Sequence, residues 1–206
     1  MSSIHSLVFL VCLCMPLQQT GRLPTHPRTI QLRDLLVTVK NIRDPRMLTQ
    51  RMLDSLVSAV RWGEHPKMDS SSYHYETFLG NDANQELFYP AFDKIVEGAK
   101  RSRIHQLAIL RLASIITSNA ELAESMPIFV QEAARANTRL FLEAFLTLSK
   151  KEQDQTITGA LGWPSEIDIR QLFMNFAQRT NSAELRRMAL RIAREVDHEM
   201  TPAAAP

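Results

Sequence analysis

Apolar residues recur at spacings of three and four along most of the chain, which is the pattern of amphipathic helices. The clearest stripe runs from Asp44 to Gly63 and comprises Leu48, Met52, Leu53, Leu56, Val57 and Val60. Asp44 followed by Pro45 suits the start of a helix, and Gly63 suits its end. Similar stripes continue from residue 86 to about residue 200. The pattern therefore predicts an all-α protein.

Helix-start signals divide the second half of the chain into short helices. Ser149 and Glu152 have the spacing of a capping box, and Thr138 and Ser182 each suit an N-cap. From residue 103 onward the connections are only a few residues long, so consecutive helices are expected to pack antiparallel. We expect about eight or nine helices. The absence of a strict repeat period leaves an irregular bundle and an α-helical-repeat-like array equally open.

Two segments are ambiguous at the level of local pattern. Residues 29–42 carry a helical stripe, but the sequence LLVTV within them also has strand character, and helix is the favoured prediction. Residues 63–84 contain Pro66, a serine triplet and few apolar repeats, so we predict a long irregular segment there.

The N-terminal apolar run Leu7–Leu17 is too short to span a membrane, which takes about 20 residues. It fits the hydrophobic stretch of a signal peptide, although a packed N-terminal segment and a membrane-surface anchor remain alternatives. The preferred division of the chain is a signal peptide over 1–21, an extended segment over 22–28, one helical domain over 29–200 and a disordered tail over 201–206.

Both cysteines of the chain, Cys12 and Cys14, lie inside this apolar run. If the leader is cleaved, the mature chain has no cysteine and can enter an oxidising compartment without mispairing. The expected location is then the periplasm or the extracellular space, and without cleavage it is the cytoplasm. No membrane span is expected in the mature chain.

Charge argues against nucleic acid as the main partner. The chain has 24 basic and 22 acidic residues, so it has no strong overall field. The last predicted helix is nevertheless basic on one side, through Arg186, Arg187, Arg191 and Arg194. A cytosolic helical regulator that binds nucleic acid through this helix is therefore one alternative function.

Catalytic and ligand signatures are absent from the sequence. No histidine pairs with another at a metal-ligand spacing, and the glycine-rich phosphate loop and the serine elbow are missing. We therefore expect no metal and no cofactor. The densest cluster of functional-looking side chains is Tyr73-His74-Tyr75-Glu76. A second alternative is a hydrolytic enzyme that uses His74 and Glu76.

The leading hypothesis is a non-enzymatic, exported helical protein that acts through contacts with an unidentified protein partner. Two tryptophans adjoin glycines at predicted helix ends, where they could contact a partner. The predicted contact residues are Trp62, Tyr73, His74, Tyr75 and Trp163.

Overall fold

The computed structural model describes residues 26–64, 71–79, 81–116, 120–164 and 166–199, with the backbone alone for 71–73, 77 and 197–199. The predicted signal peptide 1–21, the start of the segment 22–28 and the tail 201–206 lie outside these residues.

Every regular element within the described residues is helical, which confirms the predicted all-α class. None of these helices combines the length and apolar character needed to cross a bilayer. A 3₁₀ turn over Pro45–Met47 precedes α2, and a π-helical turn over Ile157–Leu161 follows α9. The α-helices are α1 Pro27–Asn41, α2 Gln50–Glu64, α3 Ser71–Leu79, α4 Asp82–Gln85, α5 Phe88–Ala99, α6 Arg103–Ile115, α7 Ala120–Ala136, α8 Thr138–Phe145, α9 Lys150–Thr156, α10 Ile169–Arg179 and α11 Ala183–Glu199.

The favoured helix over residues 29–42 is confirmed as α1, but it begins two residues earlier, at Pro27. The side chain of His26 accepts a hydrogen bond from the backbone N–H of Arg28 at 3.2 Å and so acts as the N-cap. The end of the segment predicted to be extended is therefore already helical, because a capping side chain and a proline at the first position favour a helix start.

The irregular segment predicted over residues 63–84 contains two helices, α3 and α4. Within α3, Tyr75, Phe78 and Leu79 are buried, and they follow the spacing of three and four that marks one helix face. Such a short stripe, surrounded by serine and charged residues, is too weak to predict a helix by itself. Its packing against α1, α2 and α4 stabilises it.

Two of the predicted helix starts are confirmed in detail. The hydroxyl of Ser149 accepts the N–H of Glu152 at 3.3 Å, and the Glu152 carboxylate accepts the N–H of Ser149 at 2.9 Å. This reciprocal pair is a capping box, as the sequence predicts. At the start of α11 the hydroxyl of Ser182 accepts the N–H of Leu185 at 3.3 Å.

Two other predicted helix starts are wrong in position. Asn137, and not Thr138, caps α8, because its side-chain oxygen accepts the N–H of Leu140 at 3.1 Å. Asp44 caps only the short 3₁₀ turn, and α2 begins separately at Gln50.

Helix α6 lies at the centre of the fold and packs against α2, α5, α7, α8 and α9. Its buried apolar side chains include Ile109, Leu110 and Leu112. At the two ends of the chain, α1 packs on α2 and α5, and α11 packs on α8, α10 and the π-helical turn. This arrangement is consistent with both architectures that the sequence leaves open, an irregular bundle and a repeat-like array.

Helix C-termini in this fold are completed by side-chain donors from other helices. No described residue has a positive φ, so the left-handed glycine cap is not used there. Instead, the buried amide of Gln106 donates to the carbonyls of Ala99, at the end of α5, and Ala133, near the end of α7, both at 2.9 Å. Arg186 donates in the same way to carbonyls at the end of α10.

Gly63 does not end α2 as predicted, since the helix continues to Glu64. A Cβ added at this position would overlap ring atoms of Tyr75, far inside the closest approach of real Cβ atoms. The glycine is therefore required by the close approach of α3. Gly159, in the π-helical turn, has no neighbouring atom within 4 Å of an added Cβ.

Replacing Gly63 with Ala is expected to lower the free energy of unfolding by about 1–3 kcal/mol, because the added Cβ overlaps the ring of the buried Tyr75. The matched variant Gly159→Ala meets open space and should be neutral or stabilising by up to about 1 kcal/mol. Urea unfolding followed by far-UV circular dichroism measures both. Equal stability of the two variants would contradict the packing of α3 on α2.

Candidate functional site

A cleft of about 740 Å³ lies between α1 and α2 and is open to solvent. On α2 the lining side chains follow at spacings of four, three and four, so they share one helix face. This face is opposite the apolar stripe of α2 that packs into the core. We call this site the Trp62 cleft, and its defining residues are Arg28 and Gln31 of α1 and Arg51, Ser55, Ser58 and Trp62 of α2.

Aromatic and cationic side chains stack at one end of the cleft. The ring of His26 is stacked on Trp62 with centroids 4.9 Å apart, and its other neighbour is the ring of His74 at 5.1 Å. The guanidinium carbon of Arg28 lies 5.6 Å from the Trp62 ring centroid, within the range of a cation–π contact. We call His26, Arg28, Trp62 and His74 the Trp62 stack.

The Trp62 stack joins two of the predicted contact residues, Trp62 and His74. They are connected through His26, which the sequence analysis did not include among the candidates. His26 belonged to the segment expected to be extended, and neither spacing nor composition marks its contact with two other helices. Each of these three side chains is half-buried and therefore partly accessible to a partner.

The cleft carries an excess of positive charge. Its one carboxylate, Asp54, lies 3.3 Å from the guanidinium of Arg111 and also accepts the Gln50 amide at 2.8 Å. Among the described residues no carboxylate forms an ion pair with Arg28 or Arg51. The cleft therefore presents two uncompensated positive charges to solvent.

The prediction of Tyr75 as a surface contact is wrong. Its side chain is 1% exposed, and its hydroxyl donates to the buried carboxylate of Glu64 at 3.1 Å. Burial and the nearby carboxylate raise the pKa of Tyr75. Tyr75 is a core residue that attaches α3 to α2. The neighbouring candidate Tyr73 lies in α3, but its side chain is outside the described part of the structure.

Trp163 lies at a second, separate groove of about 560 Å³. The groove lies between the end of α6, the start of α7 and the π-helical turn, and its walls include Ile116, Ala123, Met126 and Gly159. Trp163 is 48% exposed, which is high for an aromatic side chain. Of the predicted contact residues with described side chains, Trp62 and Trp163 therefore line two separate grooves, and Tyr75 lies in the core.

The position of Trp163 depends on a buried amide of α7. Gln131, which is fully buried, donates to the carbonyls of Ala160 and Trp163, both at 2.9 Å. These bonds attach the π-helical turn and the residue after its cap to α7.

The suggested hydrolytic use of His74 and Glu76 stays a prediction. Glu76 is exposed, and His74 contacts the ring of His26. Neither residue lines the Trp62 cleft or the Trp163 groove. Within the described residues, no group of three His, Cys, Asp or Glu side chains could hold a metal ion.

Half of the basic stripe on α11 is used for internal contacts. Arg186 binds carbonyls at the end of α10, as described above. Arg191 donates to Glu195 and to Gln153, both at 2.8 Å, and also pairs with Asp154. Arg187 and Arg194 remain as exposed cations on this helix. Two of the four arginines that suggested nucleic-acid binding therefore attach α11 to α9 and α10.

A third cavity, of about 450 Å³, lies where the turn before α2 meets the start of α6. His105 lines it, is only 2% exposed, and has its Nε2 3.0 Å from the carbonyl oxygen of Pro45. Because that contact needs a donor, we assign the proton of the neutral ring to Nε2. Burial lowers the pKa of His105. The rim carries Arg46, which pairs with Asp44 at 2.7 Å.

A comparison of the chain with family models, curated proteins and solved structures finds no match. The functional interpretation therefore rests on the geometry of the described residues.

Gln131→Leu is expected to lower the free energy of unfolding by about 1–3 kcal/mol, because it removes a buried bond to the Ala160 carbonyl and a part-buried bond to the Trp163 carbonyl. In a Trp62→Phe background Trp163 is the sole tryptophan, and its fluorescence anisotropy should fall as the side chain gains freedom. Gln106→Leu is the matched control, since it removes an equivalent pair of bonds elsewhere and should leave the anisotropy unchanged. The same anisotropy in all three proteins would contradict the role of Gln131.

The free energy of unfolding is expected to decrease as the pH falls through the ordinary histidine pKa of about 6.5, partly because of His105. Its pKa is lower in the folded chain, so the unfolded chain binds the proton more readily and acid favours unfolding. His105→Gln, which keeps a donor for the Pro45 carbonyl, should give a shallower pH dependence in urea titrations. Parallel curves for the two proteins would show that His105 does not contribute.

Proposed function

We propose that this protein is not an enzyme and that it acts by binding another protein through the Trp62 cleft. The observation that carries the proposal is the Trp62 stack, in which a half-buried tryptophan and an arginine are held together beside an open cleft. Tryptophan and arginine are the residues most enriched among those that dominate binding energy at protein interfaces.

The shape of the cleft favours a polypeptide over a small molecule. Small-molecule sites are mostly apolar and enclose most of the ligand surface. The Trp62 cleft is instead open along one side and is lined largely by arginine, serine and glutamine side chains. The α2 face from Arg51 to Trp62 is about 16 Å long at about 1.5 Å per residue, a length that about five residues of extended chain can cover.

Preorganisation supports the same function. The Trp62 ring stacks on His26, the N-cap of α1, and His26 in turn contacts His74 on α3, so residues from α1, α2 and α3 are in contact at this position before a partner arrives. Interactions that fix side chains in advance reduce the entropy lost on binding. Export to the periplasm or extracellular space remains part of the proposal, and it rests on the apolar run in residues 1–21.

Site-directed photocrosslinking tests this function. A benzoylphenylalanine introduced at Ser58, which is exposed inside the cleft, is expected to give a discrete crosslinked product in cells that make the protein. The same probe at Arg187, exposed on α11, is the matched control and should give none.

Two further variants connect the crosslink to the stack. Trp62→Ala in the Ser58-probe chain should abolish the product, and Arg51→Gln should reduce it without a packing defect, since Arg51 is exposed. Circular dichroism checks that each variant is folded. Equal products from the two probe positions, or none from Ser58, would refute binding through the cleft.

A further inference from the structure

We infer that the Trp62 cleft recognises an acidic segment of its partner protein, whose carboxylates pair with Arg28 and Arg51. This inference rests on the proposed function and adds the chemistry of the partner.

Charge complementarity is the first observation. Asp54 is the one carboxylate of the cleft and is already occupied by Arg111 and Gln50. Arg28 and Arg51 have no carboxylate partner among the described residues. Other exposed arginines of the described surface do pair with a carboxylate. The nitrogen–oxygen distances for Arg46, Arg135 and Arg139 are 2.7, 2.7 and 3.1 Å. Several other exposed arginines, among them Arg187 and Arg194, also lack a described carboxylate partner. The observation specific to the cleft is the placement of two such cations beside Trp62, where a partner that supplies carboxylates would pair with both.

Hydrogen-bonding capacity along the cleft is the second observation. The hydroxyls of Ser55 and Ser58 lie between Arg51 and Trp62 on the same α2 face, with Gln31 across the cleft on α1. None of these three side chains forms a hydrogen bond to another described residue. Hydroxyl and amide groups both donate and accept, so they can pair with the main chain of an extended segment while the arginines bind its side chains.

The arrangement of the two arginines favours a short contact. Arg28 is oriented by the Trp62 ring at one end of the cleft, whereas Arg51 lies at the other end of the α2 stripe. Arg51 and Trp62 are about three helical turns apart on α2, about 16 Å at about 1.5 Å per residue, so carboxylates about five residues apart in an extended chain match the two ends of the cleft. A nucleic-acid backbone is a poorer match, because its affinity comes from many phosphate contacts along a basic surface.

Fluorescence of Trp62 gives a direct test of this chemistry. In a Trp163→Phe protein Trp62 is the sole tryptophan, and Trp163 is exposed enough for this change to leave the fold intact. A capped, alternating Glu-Ala peptide should change the Trp62 emission in a saturable, salt-sensitive manner. The same peptide with Gln in place of Glu should have little effect.

Charge variants test the assignment to the two arginines. Arg51→Gln and Arg28→Gln should each weaken the binding of the Glu-Ala peptide by about five-fold or more, as expected for the loss of about 1 kcal/mol. Arg187→Gln removes an equally exposed charge from α11 and should leave the affinity unchanged. Equal binding of the Gln peptide, or unchanged affinity in both cleft variants, would overturn the inference.

The result can be separated from a failure of the proposed function. If the Ser58 probe crosslinks a protein but the Glu-Ala peptide does not bind, the cleft binds a partner of different chemistry and this inference alone is wrong. If the peptide binds but no crosslink forms, the cleft recognises acidic groups and the proposed protein-binding role fails. A thymidine oligonucleotide that binds more tightly than the peptide would also overturn the inference, in favour of nucleic acid.

Discussion

The hydrogen bonds that buried side-chain amides donate to helix-terminal carbonyls are the interaction on which the rest of this fold depends. Short helices expose a large share of unpaired carbonyls, and the described backbone has no left-handed residue to close a glycine cap. Gln106, Gln131 and Gln153 add side-chain donors, each bridging two carbonyls near helix or turn ends. Among these carbonyls, those of Ala133 and Phe145 also accept a backbone N–H. Each buried carbonyl left without such a bond would cost about 1–3 kcal/mol, so these amides also determine which helix ends meet.

The same constraint explains why much of the charge in this protein is structural. Arg186 and Arg191 look like part of a basic binding face, but one closes the end of α10 and the other attaches α11 to α9. Trp163 is held in its exposed position because Gln131 binds its carbonyl. Polar groups at helix junctions thus mainly hold the helices together. A binding surface has to come from side chains that make no such contacts.

The Trp62 cleft is the place where such side chains remain. Its wall is the polar face of α2, with α1 residues across the cleft, and no described carboxylate forms an ion pair with its two arginines. The neighbouring Trp62 stack comes from three helices and gives this surface a rigid aromatic end. A rigid aromatic group beside free cations distinguishes this site from the Trp163 groove, whose walls are largely small and apolar.

Local pattern alone determined the helical class and the helix starts at Ser149 and Ser182, and it favoured helix over strand for α1, because periodicity and capping involve residues only a few positions apart. It also marked Trp62 and His74 as surface candidates. Only the tertiary structure decided that Tyr75 is buried on Glu64, that Gly63 makes room for it, and that His26 joins Trp62 to His74. These outcomes depend on which helices pack together, and that is set by long-range burial and hydrogen bonding, which leave no periodic signal in a single sequence.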